Sequence, residues 1–475
     1  MNPSPKQSFA IETYLKVCER RLAAGHSLEA LAAAMQGLEH YPADARLLVM
    51  QARSHMLAGR YAGALLPLQQ AEQDDPTNPH IWMLLASCYT RVDNNEEGER
   101  YYRKVLATEP SNVVALAELE PILREQGRHD ECRDLLARIA ACKPGLRAAV
   151  ATSIACLDLT DGNFADGFRG YEKRFEGYSH MGEAFGTPFF PRWDGSTPLD
   201  GKRVLMRFEQ GLGDTIQFAR YATTLKARGA AHVAILCKSV LHRLLQRIDG
   251  VDEVVGTPPE AGFDLEVMMM SLPALLSVTR DSDIDGWPYI ACAAEDVLPW
   301  QERIADFRGP RIGVVWSGEL KKSQWFTERM NLRRSIPLAQ FRPILDVNCS
   351  FFSLQKGERQ KDLEGFFAAH RIHDLMGHVQ DFYDTACFIS ALDAVITVDT
   401  STAHVAGALG KPVWMLSRLD GCWRWLRERN DSPWYSSMTI YRQSTFLKWE
   451  PVIAQVGADL ADAARQYRNS GSFPV

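Results

Sequence analysis

The sequence predicts an α plus α/β protein, in which a solenoid of paired helices precedes two parallel-sheet α/β domains. In the first part of the chain a proline recurs every 34 residues, at Pro42, Pro76, Pro110 and Pro144. Such a fixed period is typical of stacked helical repeats. From about residue 201, short apolar strands alternate with helical stretches, which indicates βαβ units. The segment 287–310 separates two sets of these units.

Length and composition fit an ordinary globular protein. With 475 residues, two or three domains are expected. The chain is 46% apolar and 24% charged, and its net charge of −6 does not favour nucleic acid as a partner. The first residues lack the apolar core of a secretory signal, no apolar run is long enough to span a bilayer, and the ten cysteines are scattered. We therefore expect a cytoplasmic protein without a transmembrane segment.

Two further sets of residues share the period of 34. Small residues stand where paired helices must approach closely, at Ala30, Ala64, Gly98 and Cys132. Turn residues stand between the paired helices, at Gly25, Gly59, Asp93 and Gly127. The pattern resembles the tetratricopeptide (TPR) repeat, with four copies in 1–146 and a degenerate fifth copy and linker in 147–200. The resemblance implies a superhelix whose concave face binds a peptide or protein. The alternative is a structural role, with homo-oligomers formed through the repeats.

The two α/β sets predict two facing domains, at 201–308 and 309–475. Ligands of such sheets bind at the carboxyl ends of the strands. Four motifs at predicted strand ends are therefore the candidate site.

The first motif is the turn GLGDTIQ, with Gly211, Gly213 and Asp214. It lacks the third glycine of a dinucleotide fingerprint, and its carboxylate would repel a pyrophosphate. Asp214 is either the N-cap of the following helix or a general base that faces the cleft.

The second motif starts at Ser317, at the end of the strand RIGVVWSG, and continues as a basic loop. Residues 311–345 contain seven Lys and Arg against two Glu. A basic loop at a strand end suits a ligand with clustered negative charge, such as a diphosphate, although a solvated loop face is an equal alternative. Arg333 and Arg334 are the preferred candidates, because they are predicted to start the helix after this loop.

The third and fourth motifs are SLQKGE and DTSTAH. In the third, Gln355 has an amide for a base or sugar hydroxyl, and Lys356 has a charge for phosphate. In the fourth, Thr400 and Ser401 are predicted to lie at a helix N-terminus, where free N–H groups attract anions. His404 follows Thr400 by one helical turn and could donate to a phosphate oxygen, or be a satisfied core histidine.

Together these motifs resemble family 9 glycosyltransferases, the heptosyltransferase group. VDTSTAHVAGALGKPVW is similar to the donor motif of that family, and GLGDTIQFAR to its N-terminal Gly-Asp turn. TPR repeats before such a two-Rossmann (GT-B) domain resemble the architecture of O-linked N-acetylglucosamine transferases. RRSIPL, SLQKG, WRWLRERNDSPWY and IYRQ look like stretches of bacterial TPR proteins with this glycosyltransferase-like domain.

The resemblance implies an inverting, metal-independent glycosyltransferase with a nucleotide-sugar as co-substrate and no other cofactor. Asp214 would be the catalytic base, Asp399, Thr400, Ser401 and His404 would hold the donor, and Arg333 or Arg334 would neutralise phosphate. Ser401 departs from the family pattern, which has glycine there.

Two alternatives stay open at this point. One is a non-catalytic TPR adaptor with a relic transferase domain, and a weaker one is a sugar-nucleotide epimerase. The acidic stretch RDSDIDG at 280–286 is interpreted as a solvated loop, without a metal role.

Overall fold

The computed structural model describes residues 10–177, 187–319, 325–364 and 372–474 of the chain. These residues form two compact units, Met1–Val150 and Ala151–Val475. The first unit is helical, and the second combines helices with two parallel sheets. The α plus α/β class predicted from the sequence is confirmed at this level.

The first unit consists of paired helices whose starting residues repeat at a fixed interval. Its helices are α1 (Ile11–Ala23), α2 (Ser27–His40), α3 (Ala45–Leu57), α4 (Tyr61–Asp74), α5 (Pro79–Arg91), α6 (Asn95–Thr108), α7 (Val113–Glu125) and α8 (His129–Cys142). The first helices of the pairs begin at 11, 45, 79 and 113, and the second helices at 27, 61, 95 and 129, so both series advance by 34. This unit is a TPR-type helical repeat.

The repeated residues explain the period physically. Asp44, Asn78 and Asn112 cap helices α3, α5 and α7, and each side chain accepts from a backbone N–H of the first turn. The turn residues Gly25, Gly59, Asp93 and Gly127 have positive φ angles of 60° to 77°. At Gly98 an added Cβ would lie 2.5 Å from Thr90 Oγ1, so a small residue is required where the two helices meet.

The second unit begins at Ala151, inside a helix that starts at Arg147. Its helices are α9 (Arg147–Thr160), α10 (Phe164–Tyr171) and α11 (Arg174–Gly177). Leu159, Phe164 and Phe168 are buried in the same apolar cluster as residues of the first sheet. The helices assigned to the degenerate repeat and linker thus supply core side chains to the α/β unit, and the domain boundaries given by the sequence stay predictions.

In the described residues of the second unit, ten parallel strands form two separate sheets. They are β1 (Arg203–Arg207), β2 (His232–Leu236), β3 (Glu253–Val255), β4 (Leu265–Met268), β5 (Arg311–Val315), β6 (Ser350–Ser353), β7 (Ile372–Asp374), β8 (Ala394–Val398), β9 (Val413–Ser417) and β10 (Met438–Arg442). The first sheet has the order β3-β2-β1-β4, and the second has β10-β9-β8-β5-β6-β7.

The second sheet has the order 3-2-1-4-5-6 when its strands are numbered within it. In such sheets the strand order reverses between the first and fourth strands, and ligands bind in the crevice beyond their carboxyl ends. Here those strands are β5 and β8, which pair in parallel with Val314 opposite Ile396. Both strands are almost fully buried, as expected for a parallel sheet covered on both faces.

Helices lie between the strands of both sheets, and one further helix follows β10. They are α12 (Leu212–Ala219), α13 (Tyr221–Ala227), α14 (His242–Leu245), α15 (Leu272–Leu275), α16 (Ala294–Arg303), α17 (Trp325–Arg334), α18 (Arg342–Leu345), α19 (Phe382–Ala391), α20 (Ser401–Ala408) and α21 (Glu450–Ser470). One apolar cluster joins both sheets, with Val204 and Ile235 from the first and Val395 and Met415 from the second. No helix in the described ranges has both the length and the apolarity needed to cross a membrane.

Candidate functional site

The turn after β1 places Asp214 in the first turn of helix α12. Gly211 is the N-cap of this helix, with extended backbone, and Asp214 stands three residues later. The Gly211 N–H donates to Oδ2 of Asp214 over 2.7 Å. The prediction that Asp214 is the N-cap is therefore wrong. Gly211 is the N-cap, and Asp214 lies inside the helix and accepts from the backbone of that cap residue.

The other oxygen of Asp214 meets a buried arginine from the second half of the unit. Arg424 Nη2 lies 2.6 Å from Asp214 Oδ1, and the side chains are 6% and 20% exposed. The two charges are in contact, although the N–H direction is not aligned as in a hydrogen bond. Burial would lower the pKa of Arg424, but the neighbouring Asp214 carboxylate raises it overall. Arg424 was not among the residues predicted from the sequence.

The turn after β8 leads into helix α20, whose N-cap is Thr400. No side chain caps this helix, and Thr400 Oγ1 instead lies 3.2 Å from Oγ1 of Thr397. Thr400 and Ser401 are half-buried, with part of each side chain open to solvent. The helix N-terminus predicted for DTSTAH is thus present, with two hydroxyls and uncapped N–H groups at the carboxyl end of β8.

His404 lies on the inner side of helix α20. It is 4% exposed, and its Nδ1 is 2.9 Å from the hydroxyl of Tyr435. Burial lowers the pKa of His404 to about 4, so the ring is neutral at physiological pH. The contact with Tyr435 matches the alternative of a satisfied core histidine, and donation by His404 to a phosphate oxygen stays a prediction.

Gly213 lets helix α12 approach His404. A Cβ on Gly213 would lie 2.6 Å from Cδ2 of His404 and 3.0 Å from its Nε2. Because real Cβ atoms do not come this close to a ring, only glycine permits the contact. The two strand-to-helix turns therefore touch through Gly213 and His404.

Arg334 reaches the carboxyl ends of β5 and β8, where the strand order reverses. Its Nη1 donates to the backbone carbonyl of Asp399 over 3.0 Å. Its guanidinium covers Gly318, where an added Cβ would lie 2.6 Å from Nε. Burial lowers the pKa of Arg334, and the charges acting on it include Asp399 and Asp214.

Arg333 points elsewhere. Its Nη1 is 3.3 Å from Oδ2 of Asp420, and its side chain is 5% exposed. Both arginines stand at the end of helix α17, not at the start of a helix as predicted. The prediction misplaced them because this helix begins within the basic loop itself. In the contacts given for the described residues, Arg334 reaches Asp399 and Arg333 reaches Asp420.

The residues predicted at the ends of β5 and β6 support the backbone of the site. The Ser317 N–H donates to Oε1 of Gln355 over 3.0 Å, and the Gln355 amide donates to the carbonyl of Lys356 over 3.1 Å. Ser317 and Gln355 are 2% and 3% exposed. Lys356 is exposed and its Nζ donates to the Val379 carbonyl. The structure thus gives these side chains partners within the chain, where base, sugar and phosphate contacts were predicted.

The acidic stretch 280–286 is engaged in local contacts. Asp283 accepts from the backbone N–H groups of Thr279 and Arg280, and Asp281 pairs with Arg429 over 3.0 Å. Within the part of the chain that the structure describes, no group of three or more His, Cys, Asp or Glu side chains is arranged to hold a metal ion.

Asp214, Asp399, His404, Arg334 and Arg424 form one electrostatic cluster. Asp399 and Asp214 act on the charge of both His404 and Arg334, and Arg424 acts on His404. The cluster joins the turn after β1 to the turn after β8. A weak signal for Arg424 was available, since it stands between Trp423 and Trp425, and all three side chains are buried.

Comparison with known proteins shows relatives over parts of the chain. No protein-family model matches it. It is 24% identical over 375 residues to protein FlbA of Caulobacter vibrioides, which covers 70% of this chain and 59% of FlbA. It is 34% identical over 107 residues to cellulose synthase operon protein C of Pseudomonas fluorescens, which covers 22% of this chain and 8% of that protein. The chain thus spans well under two thirds of either curated relative.

Two examples of similar solved structures each cover 36% of this chain. YrrB, described as a TPR protein with an unusual peptide-binding site, is 15% identical, covers 36% of this chain and 89% of its own, and has a TM-score of 0.33. MamA from Desulfovibrio magneticus is 13% identical, covers 36% of this chain and 94% of its own, and also has a TM-score of 0.33. The assignment of the first unit to TPR-type repeats rests on the eight helices described in it, whose starts repeat every 34 residues.

Proposed function

We propose that the α/β unit is an inverting, metal-independent glycosyltransferase that uses a nucleotide-sugar donor. One observation carries the proposal: a carboxylate on the turn after β1 and an anion-attracting turn after β8 meet in one cluster. A transferase that inverts needs these two functions on opposite sides of the anomeric carbon. The resemblance to family 9 glycosyltransferases points the same way.

In the proposal, the donor diphosphate lies against the N-terminus of helix α20. Uncapped N–H groups and the hydroxyls of Thr400 and Ser401 supply donors there. Arg334 adds a fixed positive charge beside Asp399. This position, beyond the ends of β5 and β8, is where sheets with this strand order bind nucleotides.

Asp214 is the proposed general base. An acceptor hydroxyl attacks the anomeric carbon and gives its proton to the Asp214 carboxylate. The bond between the new oxygen and the anomeric carbon forms as the bond to the diphosphate oxygen breaks. The charge that develops on the leaving nucleoside diphosphate is stabilised by Arg334 and the start of helix α20. One displacement inverts the configuration at the anomeric carbon.

The acceptor in this proposal is a protein or peptide bound by the helical repeats. TPR-type units bind extended peptides on a concave face, and this one precedes the α/β unit in the same chain. A chain that begins at residue 147 should bind the donor as the full protein does and lose transfer to protein acceptors. Equal transfer by the full and shortened chains would contradict this acceptor assignment, and donor binding would be unaffected by that result.

A second candidate is a non-catalytic TPR adaptor with a relic domain. The observation that favours it is that both oxygens of Asp214 already have partners, Gly211 N–H and Arg424. His404 is likewise directed to Tyr435. In this candidate the cluster only stabilises the contact between the two halves.

Calorimetric titration of the full chain with a panel of nucleotide-sugars distinguishes the two candidates. The transferase should bind at least one nucleotide-sugar specifically, and Arg334→Met should weaken that binding by at least about tenfold, since charge-assisted contacts contribute about 1.5–3 kcal/mol. Arg342→Met is the matched control, because Arg342 is 70% exposed and pairs only with Asp346 in the described contacts. Absence of binding to every nucleotide-sugar would favour the adaptor.

A further inference from the structure

We infer that Arg424 is a positioning residue, which holds the carboxylate of Asp214 in one orientation from the opposite half of the unit. The inference rests on the proposed function and adds to it a residue that the sequence motifs did not include. Arg424 contacts Asp214 and not the reacting atoms, so its effect would be exerted through the base.

Asp214 is anchored at only one oxygen by its own helix. The Gly211 N–H fixes Oδ2 at 2.7 Å, which leaves the carboxylate able to rotate about that contact. Arg424 Nη2, at 2.6 Å from Oδ1, supplies the second anchor. A general base must present a lone pair within hydrogen-bond reach of the acceptor proton, and a small misplacement costs a large part of the rate.

Arg424 contacts two residues of its own turn. Its guanidinium lies 4.3 Å from the centre of the Trp423 ring, and its Nη1 is 3.1 Å from Sγ of Cys422. Within the described part of the chain its Nε has no hydrogen-bond partner. A buried cation with so few partners depends on a nearby anion, and Asp214 is that anion.

The backbone beside Arg424 is strained. Leu426 has φ of 53° and ψ of −170°, in a region that is almost restricted to glycine. It ends the short 3₁₀ turn Trp423–Trp425 that carries Arg424. Such strain persists only where the surroundings enforce it, and it is concentrated at functional sites. Arg427, which pairs with Asp161 over 3.0 Å, holds the chain on the other side of Leu426.

Two substitutions at Arg424 test the inference in the full chain. Arg424→Met should lower kcat for sugar transfer by at least about tenfold while the donor Kd changes by less than about twofold, because the base moves and the phosphate contacts do not. Arg424→Lys keeps a charge but not the planar guanidinium, and should recover part of kcat. Arg342→Met is the control, since it removes an exposed arginine that pairs with Asp346 outside the site, and it should keep the wild-type kcat.

A double variant separates positioning from general stability. If Arg424 acts through Asp214, Asp214→Asn and the double variant Asp214→Asn/Arg424→Met should have the same kcat, since the base is already lost. Multiplied losses in the double variant would overturn the inference, as would wild-type kcat in Arg424→Met. If Arg424→Met does not fold, Arg424→Lys decides, and wild-type kcat there with no change in thermal stability would overturn it.

The activities of the wild type and of Arg424→Met distinguish failure of this inference from failure of the proposed function. A wild-type protein that transfers sugar together with a fully active Arg424→Met removes only the positioning role. A wild-type protein that neither binds nor turns over any nucleotide-sugar removes both.

Discussion

The turns after β1 and β8 are built from the same elements and differ in what occupies the helix N-terminus. After β1, the carboxylate of Asp214 turns back to the Gly211 N–H, so the first turn of the helix already holds an anion. After β8, Thr400 leaves the N-terminus of helix α20 without a side-chain cap, and its hydroxyl points to Thr397. The start of helix α12 is therefore occupied by a carboxylate, whereas the start of helix α20 has no side-chain cap and follows Asp399, although both helices come after a buried parallel strand.

Under the proposed function, the two turns carry different parts of one reaction. A diphosphate is expected only at the second turn, because a fixed carboxylate excludes it from the first. The base is expected only at the first. Gly213 and His404 bring the two turns into contact, so the base and the donor site would lie close together.

The largest effect should come from removing the base from the first turn. Asp214→Asn keeps an oxygen for the Gly211 N–H and loses the proton acceptor, so turnover should fall by at least about a hundredfold. Nucleotide-sugar affinity should be nearly unchanged, because the donor contacts belong to the second turn. Steady-state transfer assays with calorimetry on the same preparation measure both quantities. Wild-type turnover in this variant would remove Asp214 from the mechanism.

The next effect concerns the contact between the turns and its dependence on pH. Burial lowers the pKa of His404 to about 4 from its usual 6.5, so the unfolded chain takes up this proton before the folded one does. The stability contributed by the neutral ring is therefore complete above pH 6.5 and lost as pH falls toward 4, by about 3 kcal/mol. Charges near the ring are Asp399, Asp214, Arg424 and Arg220.

His404→Gln tests this dependence. Glutamine can still bond to the Tyr435 hydroxyl but takes up no proton, so its urea denaturation midpoint should fall less between pH 7 and pH 4 than that of the wild type. Identical pH dependence in the two proteins would show that His404 is not the group that titrates.

Sequence patterns predicted more of the fold than of the site. The period of 34 located both helices of every repeat in the first unit, because each turn and each close helix contact depends on local residue types such as Gly98. Asp214 and Thr400 were placed correctly at strand ends for the same reason. Arg424 was missed because its contact with Asp214 joins two segments that are 210 residues apart in the sequence. No local pattern contains such a contact.

Local patterns left the surroundings of His404 open between two alternatives. Its spacing of four residues from Thr400 correctly predicts one face of a helix. The spacing does not say what this face of the helix packs against. In the structure His404 packs against Tyr435 and Gly213, which belong to other elements. The arginine pair was misplaced in a similar way, since only the fold decides that Arg334 meets Asp399 and Arg333 meets Asp420.

A smaller effect should come from separating the turns by one methyl group. Gly213→Ala places a Cβ 2.6 Å from the His404 ring, so helix α12 must shift. We expect a loss of about 2 kcal/mol in stability, within the usual range for overpacking, and reduced turnover. Gly377→Ala is the control, because its Cβ would meet no atom within 4 Å. Equal melting temperatures for the two variants would contradict the close contact.

The smallest effect is expected at Ser401, where family 9 transferases have glycine. Ser401 begins helix α20 and is half-buried, so its hydroxyl can donate to a phosphate oxygen without a change in the backbone. Ser401→Gly should therefore weaken nucleotide-sugar binding by about fivefold, the value of one hydrogen bond of about 1 kcal/mol. Calorimetry on the two proteins measures the change, with Ser472→Gly, outside the α/β site, as the control. Tighter binding by Ser401→Gly would mean that the hydroxyl obstructs the diphosphate, and the second turn would then be a weakened form of the family's donor site.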